Sequence, residues 1–189
     1  MIKKKILASV FAYLLIFTCT YGAFAYSLTG AKLVNGIHYY YHQDFGSLTI
    51  SQMKSACTTI NNEIGRSVLT ISDIWVHNLF DCPNFDGVSR IYRDTLGTET
   101  NYLAINFWNL PIGPVSESDV VINASHPFAN SAQPGKYDVW SVFLHEMGHT
   151  VGLNHSAQTS AVMYAHTSPG VAKRALTQDD KNGIAAMNY

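Results

Sequence analysis

Outside its extreme N-terminus the chain has no basic run. Once Lys3, Lys4 and Lys5 are set aside, nine Lys and Arg stand scattered against thirteen Asp and Glu. Neither a nucleic acid nor an anionic membrane surface is therefore an expected partner. A membrane-spanning run is missing as well, because the apolar stretch from Ile6 to about Phe17 falls short of the ~18–20 residues a spanning helix needs. Cysteine is scarce, three in 189 residues, and there is neither an internal repeat nor a low-complexity tract. With 47% hydrophobic and 13% charged residues, the composition is that of a globular chain rather than a disordered one.

The N-terminus carries the three lysines, the short apolar run, and then Ala23-Phe24-Ala25, which puts small residues at the two positions a signal peptidase reads. These features predict a secretory signal peptide over residues 1–25, cleaved after Ala25, and a secreted product with no membrane attachment. Residues 26–189 are enough for one domain with a single core, and they carry a net charge of −4. Cys19 leaves with the signal. Cys57 and Cys82 remain as an even pair in an exported protein, where a disulfide is the expectation and two buried thiols are the alternative. Closing that loop of about 26 residues would contribute roughly 3–4 kcal/mol in the chain-entropy model.

A first strand is predicted around Ile37–His42, where the aromatic run His-Tyr-Tyr-Tyr-His suits a pleated surface. His38 and His42 share a face there but lie ~13 Å apart along the strand, too far to hold one ion. From Ser47 to about Arg66, Ile50, Met53, Ala56, Cys57, Ile60 and Ile64 follow the helical period, and Gly65 marks the end. A second strand is predicted over Ile71–Leu79, followed by turn chemistry over Asp81–Gly87. Val88–Asn101 reads as loop, with a candidate short strand at Val88–Tyr92. Strands are predicted at Tyr102–Trp108, ended by Leu110–Pro114, and at Asp119–Asn123. Asp138 is a natural N-cap for the next helix, and Thr177 caps the last one with Asp180 at its third position. Strands first and helices towards the C-terminus indicate an α+β domain.

The chemistry concentrates in His145-Glu-Met-Gly-His-Thr-Val-Gly-Leu-Asn-His155. On a helix, His145 and His149 fall on one face a turn apart and can grip one metal from the same side. Gly152 can take a backbone conformation that costs other residues strain, which lets His155 return as a third nitrogen ligand. Three His ligands leave a fourth position open, as in catalytic rather than structural zinc, and Glu146 is placed to act on a water there without being a ligand. A closed structural zinc would usually want four protein ligands and has no use for Glu146.

His-Glu-x-x-His-x-x-Gly-x-x-His followed by a methionine turn resembles the metzincin metallopeptidases. Ala161-Val162-Met163-Tyr164 supplies the methionine, eight residues past His155, and Ser156 is the residue the matrixin branch tends to carry after the third His. Leu176–Ile184 is similar to the matrixin C-terminal helix, and Tyr102–Phe107 to its edge strand. The resemblance covers about Leu103–Tyr189 strongly and Leu28–Tyr102 weakly. It implies a twisted mixed β-sheet with an N-terminal helix, a zinc-binding helix, a Met-turn and a C-terminal helix. It also implies one catalytic zinc on His145, His149 and His155, Glu146 as general base, and Met163 as a non-ligating floor. Leu103 and Ala104 would offer backbone groups to an extended substrate, so protein or peptide substrates are the expected partners of a monomeric, bacterial-type minimal enzyme.

The departures are equally specific. Ile105 and Val121 stand where animal matrixins place histidines of a structural zinc, so no second zinc is expected, and calcium is left open. No segment with a zinc-blocking cysteine is recognisable, and Ala165-His166-Thr167 replaces the usual Pro-x-Tyr of the pocket wall. The competing reading is a metzincin-fold binding module without chemistry, against which the retention of Glu146 and all three histidines argues.

Overall fold

The computed structural model describes residues 25–76, 85–96, 101–110 and 112–189. The predicted signal peptide up to residue 24, the end of the second predicted strand and Cys82 lie outside the described residues. In chain order the strands are β1 Ser27–Leu28, β2 Ala31–Leu33, β3 Ile37–His42, β4 Leu69–Val76, β5 Arg90–Asp94, β6 Ala104–Trp108, β7 Gly113–Val115, β8 Ser118–Asn123, β9 Phe128–Ala129, β10 Tyr137–Asp138 and β11 Leu153–Asn154. The helices are α1 Ser47–Ile64, α2 Val139–Thr150 and α3 Gln178–Ala186.

Five strands form one sheet in the order β4-β3-β5-β8-β6. The first four run parallel, as a helical crossover such as α1 between β3 and β4 requires, while β6 runs antiparallel to β8 and leaves one edge of the sheet open. All six residues of β8 are buried, which fits its near-continuous apolar reading. Helix α1 packs on β4, α2 packs on β6, and the two helices pack on each other. Their shared interior holds Met53, Ala56 and Ile60 from α1, Phe143, Leu144 and Met147 from α2, and Tyr39, Ile91, Val120 and Ile122 from the sheet. The predicted mixed-sheet α+β architecture is the one observed.

Details differ from the sequence reading where the pairing partner is far away in the chain. β5 starts at Arg90 rather than Val88. Gly113–Val115, read only as a terminator, pairs in parallel with Ala31–Leu33, and Pro114 is tolerated because this ladder has only two strands. β1 pairs antiparallel with β11, so residues just after the predicted cleavage point lie against the turn that carries the third histidine. Among the described residues Cys57 is a free thiol, 3% exposed, and burial pushes it up to about 12. Its expected disulfide partner, Cys82, is not among the described residues. No helix among the described residues is long and apolar enough to cross a membrane.

Candidate active site

Helix α2 starts where the sequence says it should. Asp138 accepts hydrogen bonds from Ser141 N (3.1 Å) and Ser141 Oγ (2.6 Å), and it is clamped by Arg174 Nε (2.9 Å) and Nη2 (2.5 Å). The helix then presents His145 and His149 with ring centroids 4.7 Å apart. Gly152, at φ +99°, turns the chain back. A side chain there is forbidden twice over, since a Cβ would lie 2.4 Å from the Ala31 carbonyl oxygen. The turn brings the His155 ring to 5.2 Å from His145 and 5.0 Å from His149.

One ligand atom from each ring lies within 4.8 Å of the other two. Three nitrogens at about 2.0–2.1 Å from one tetrahedral zinc stand ~3.4 Å apart, which this spread accommodates. The orientation of two rings is fixed from behind: His145 Nδ1 pairs with the Val162 carbonyl and His149 Nδ1 with the Leu153 carbonyl, each at 2.8 Å. With Nδ1 carrying the proton, as a carbonyl partner requires, Nε2 offers its lone pair to a metal. Burial, reinforced by the charge of His149, pushes His145 down to about 3, and burial pushes His149 down to about 4. Burial followed by the nearby His166 lowers His155 as well. All three imidazoles are thus neutral at physiological pH, the form that binds a metal. The donor set fits a single zinc ion.

Glu146 is 5% exposed, and burial alone pushes its carboxyl up to about 8. A divalent cation nearby would pull it back towards ionisation. The folded value lies above the ordinary 4.5, so the stability Glu146 contributes in metal-free protein is present below pH 4.5 and is lost as pH rises towards 8. Chelated Glu146→Gln protein should therefore gain on chelated wild type by a few kcal/mol between pH 4.5 and pH 8, read by urea unfolding across that range.

Beneath the histidines lies Met163, 2% exposed, pressed against Gly148. Val162 N and Met163 N both donate to Asp180, at 3.0 and 3.1 Å, and the same carboxylate takes Thr177 N and Oγ1 at 2.8 Å each. Asp180, read from sequence only as half of a capping box, therefore also holds the Met-turn. Asp180→Ala should cost roughly 3 kcal/mol or more, seen as a lower urea midpoint, because four donors lose a fully buried acceptor.

A buried polar cluster under α2 escaped the sequence reading. Asn106 Nδ2 donates to the Glu146 carbonyl and to Thr150 Oγ1, both at 2.7 Å, while Ser118 Oγ donates to Asn106 Oδ1 at 2.7 Å and Tyr39 OH donates to Ser118 Oγ at 2.9 Å. An asparagine in a half-buried edge strand was the available signal. His38 and His42 lie away from this site: His38 pairs with Thr70 (2.8 Å) and buried His42 with Asp44 (3.1 Å).

A cleft of about 530 Å³ runs along the open sheet edge. Leu103 and Ala104, the three histidines with Glu146, and Tyr164 to Thr167 line it. A sheet edge open to an extended chain, with metal-ready nitrogens and a carboxyl at its floor, defines the class: a metallopeptidase domain of the metzincin type. Residues 85–189 match the matrixin (peptidase M10) family model, which is more than half of the chain. The chain belongs to the matrixins, a family of zinc metalloendopeptidases.

Similar proteins include Metalloendoproteinase 1 of Glycine max, 41% identical over 64 residues, covering 34% of this chain and 21% of that protein. Metalloendoproteinase 1-MMP of Arabidopsis thaliana is 51% identical over 50 residues, covering 26% and 14%. Stromelysin-1 of Equus caballus is 46% identical over 48 residues, covering 24% and 10%. The chain thus spans between 10% and 21% of the length of these relatives.

Proposed function

We propose that the chain is a secreted zinc endopeptidase in which His145, His149 and His155 hold one zinc and Glu146 is the general base. The observation that carries this reading is the buried Glu146 carboxyl beside three neutral imidazoles, two of them oriented from behind, an expensive arrangement with no structural purpose of its own. Bound zinc supplies a Lewis acid and lowers the pKa of its water from ~15.7 to near 7. Glu146 takes the proton of the attacking water and passes it to the departing amine. Met163 provides an apolar floor, and α2, stiffened by the Asn106 cluster, fixes the carboxyl's approach.

An extended peptide would add to the open edge of β6. The Leu103 carbonyl already accepts from Asn123 N at 2.9 Å, so the substrate would be held by other backbone groups of Leu103 and Ala104. Residues 1–25 act as the export signal and residues 26–189 as a monomeric catalytic domain. With Ile105 and Val121 in place of histidines, no second zinc is proposed. Incubation with a denatured protein tests the reading: new peptide fragments support it, while association without fragments favours the non-catalytic binding module.

A further inference from the structure

The charge lining the cleft is one-sided. Glu146 is the sole carboxylate among the described residues that line it, and that group is committed to the chemistry. Lys173 lines the same cavity and makes no ion pair among the described residues. Its Nζ donates to the carbonyls of Thr159 (2.7 Å) and Ala161 (2.9 Å) and sits 5.2 Å from the centre of the Tyr164 ring. Two carbonyls can accept hydrogen bonds but cannot neutralise an ammonium, and a lysine has three N–H donors to place. The backbone of Lys173 is anchored by its N–H to Ser141 Oγ (2.7 Å), on α2 four residues before His145. Burial lowers Lys173, and the nearby Asp180 carboxylate offsets that shift only in part.

A second observation points the same way. Thr167, which lines the same cavity, has a buried hydroxyl with no hydrogen-bond partner among the described residues. A buried polar atom left unmatched in the free protein is what a ligand group can satisfy. An ammonium without a direct ion pair and an idle hydroxyl, both lining one pocket, are groups that a carboxylate can satisfy.

Building on the peptidase reading above, we propose that this cleft selects peptides with a glutamate or aspartate side chain beside the scissile bond, read by the Lys173 ammonium and the Thr167 hydroxyl. Lys173 is then a specificity residue as well as a clamp on the loop before the Met-turn.

A peptide-library cleavage profile locates the position, and a pair of peptides differing only as Glu against Gln at that position measures the preference. Wild type should favour Glu in kcat/KM by about tenfold or more. The ratio should fall towards one in Lys173→Met, persist in Lys173→Arg, and fall several-fold in Thr167→Val. Zinc-loaded Glu146→Ala should bind the Glu peptide in preference to the Gln peptide in calorimetry, a readout independent of turnover. A wild-type ratio near one, or a ratio unchanged in Lys173→Met while both peptides slow equally, would reduce Lys173 to a loop clamp and overturn the proposal. Should Lys173→Met not fold, the wild-type ratio and the calorimetric preference decide alone. Absence of cleavage of any peptide, with the binding preference intact, would instead count against the peptidase reading and leave this one standing.

Discussion

Glu146→Ala is expected to keep one zinc per chain and to lose turnover by about 10²–10⁴-fold, the range over which a positioned acid–base group acts. The two halves of that result have separate physical origins. The carboxyl side chain holds neither the rings nor the helix: His145 and His149 are oriented by the Val162 and Leu153 carbonyls, and Asn106 grips the backbone oxygen of residue 146, which alanine retains. Removing a buried carboxyl that burial has pushed up to about 8 also relieves a desolvation cost, so the variant should fold at least as well as wild type. Metal analysis together with peptide turnover checks both halves. Loss of zinc along with activity would make Glu146 a structural element of the site rather than its base.

Gly148→Ala should destabilise the domain by about 2–3 kcal/mol and weaken zinc binding, against the direction that helix propensity gives. Glycine in a helix interior costs ~1 kcal/mol relative to alanine, so on an exposed helix the change would stabilise. Here the added Cβ would lie 2.2 Å from Met163 Sδ and 3.1 Å from its Cε. Met163 cannot simply retreat, because its N–H is held by Asp180 and its carbonyl accepts from Ser156 N at 2.8 Å. Displacing it shifts the neighbouring Val162 carbonyl, the partner of His145 Nδ1, and so disturbs a ligand. Urea unfolding and zinc competition titrations measure the two effects. A Gly148→Ala/Met163→Ala double variant should recover part of the loss, since the clash is between those two side chains.

Much of this was legible in the chain because it is written locally. The His-Glu-x-x-His spacing, the glycine before the third histidine, the Asp138 cap and the Thr177–Asp180 capping box each depend on residues within a turn or two, and each stands where it was read. What was not legible depends on partners distant in sequence. Nothing near Gly113–Val115 announces a ladder with Ala31–Leu33. Nothing in the 145–155 stretch announces that Gly148 makes room for Met163 or that Asn106 reaches across to the Glu146 carbonyl. Asp180 shows the boundary well: its role in the α3 cap is local and was foreseen, whereas its hold on the Met-turn is tertiary and was not. The edge strand was placed correctly, but which backbone groups remained open needed the register with β8.

In this mechanism one metal ion enables one reaction. The most direct test strips the metal with a chelator, returns zinc in known amounts, and follows cleavage of a denatured protein against zinc bound. Activity should vanish on chelation and return in proportion to zinc, levelling at one ion per chain. Cleavage that persists in the stripped protein, or one bound zinc per chain without cleavage, would contradict it.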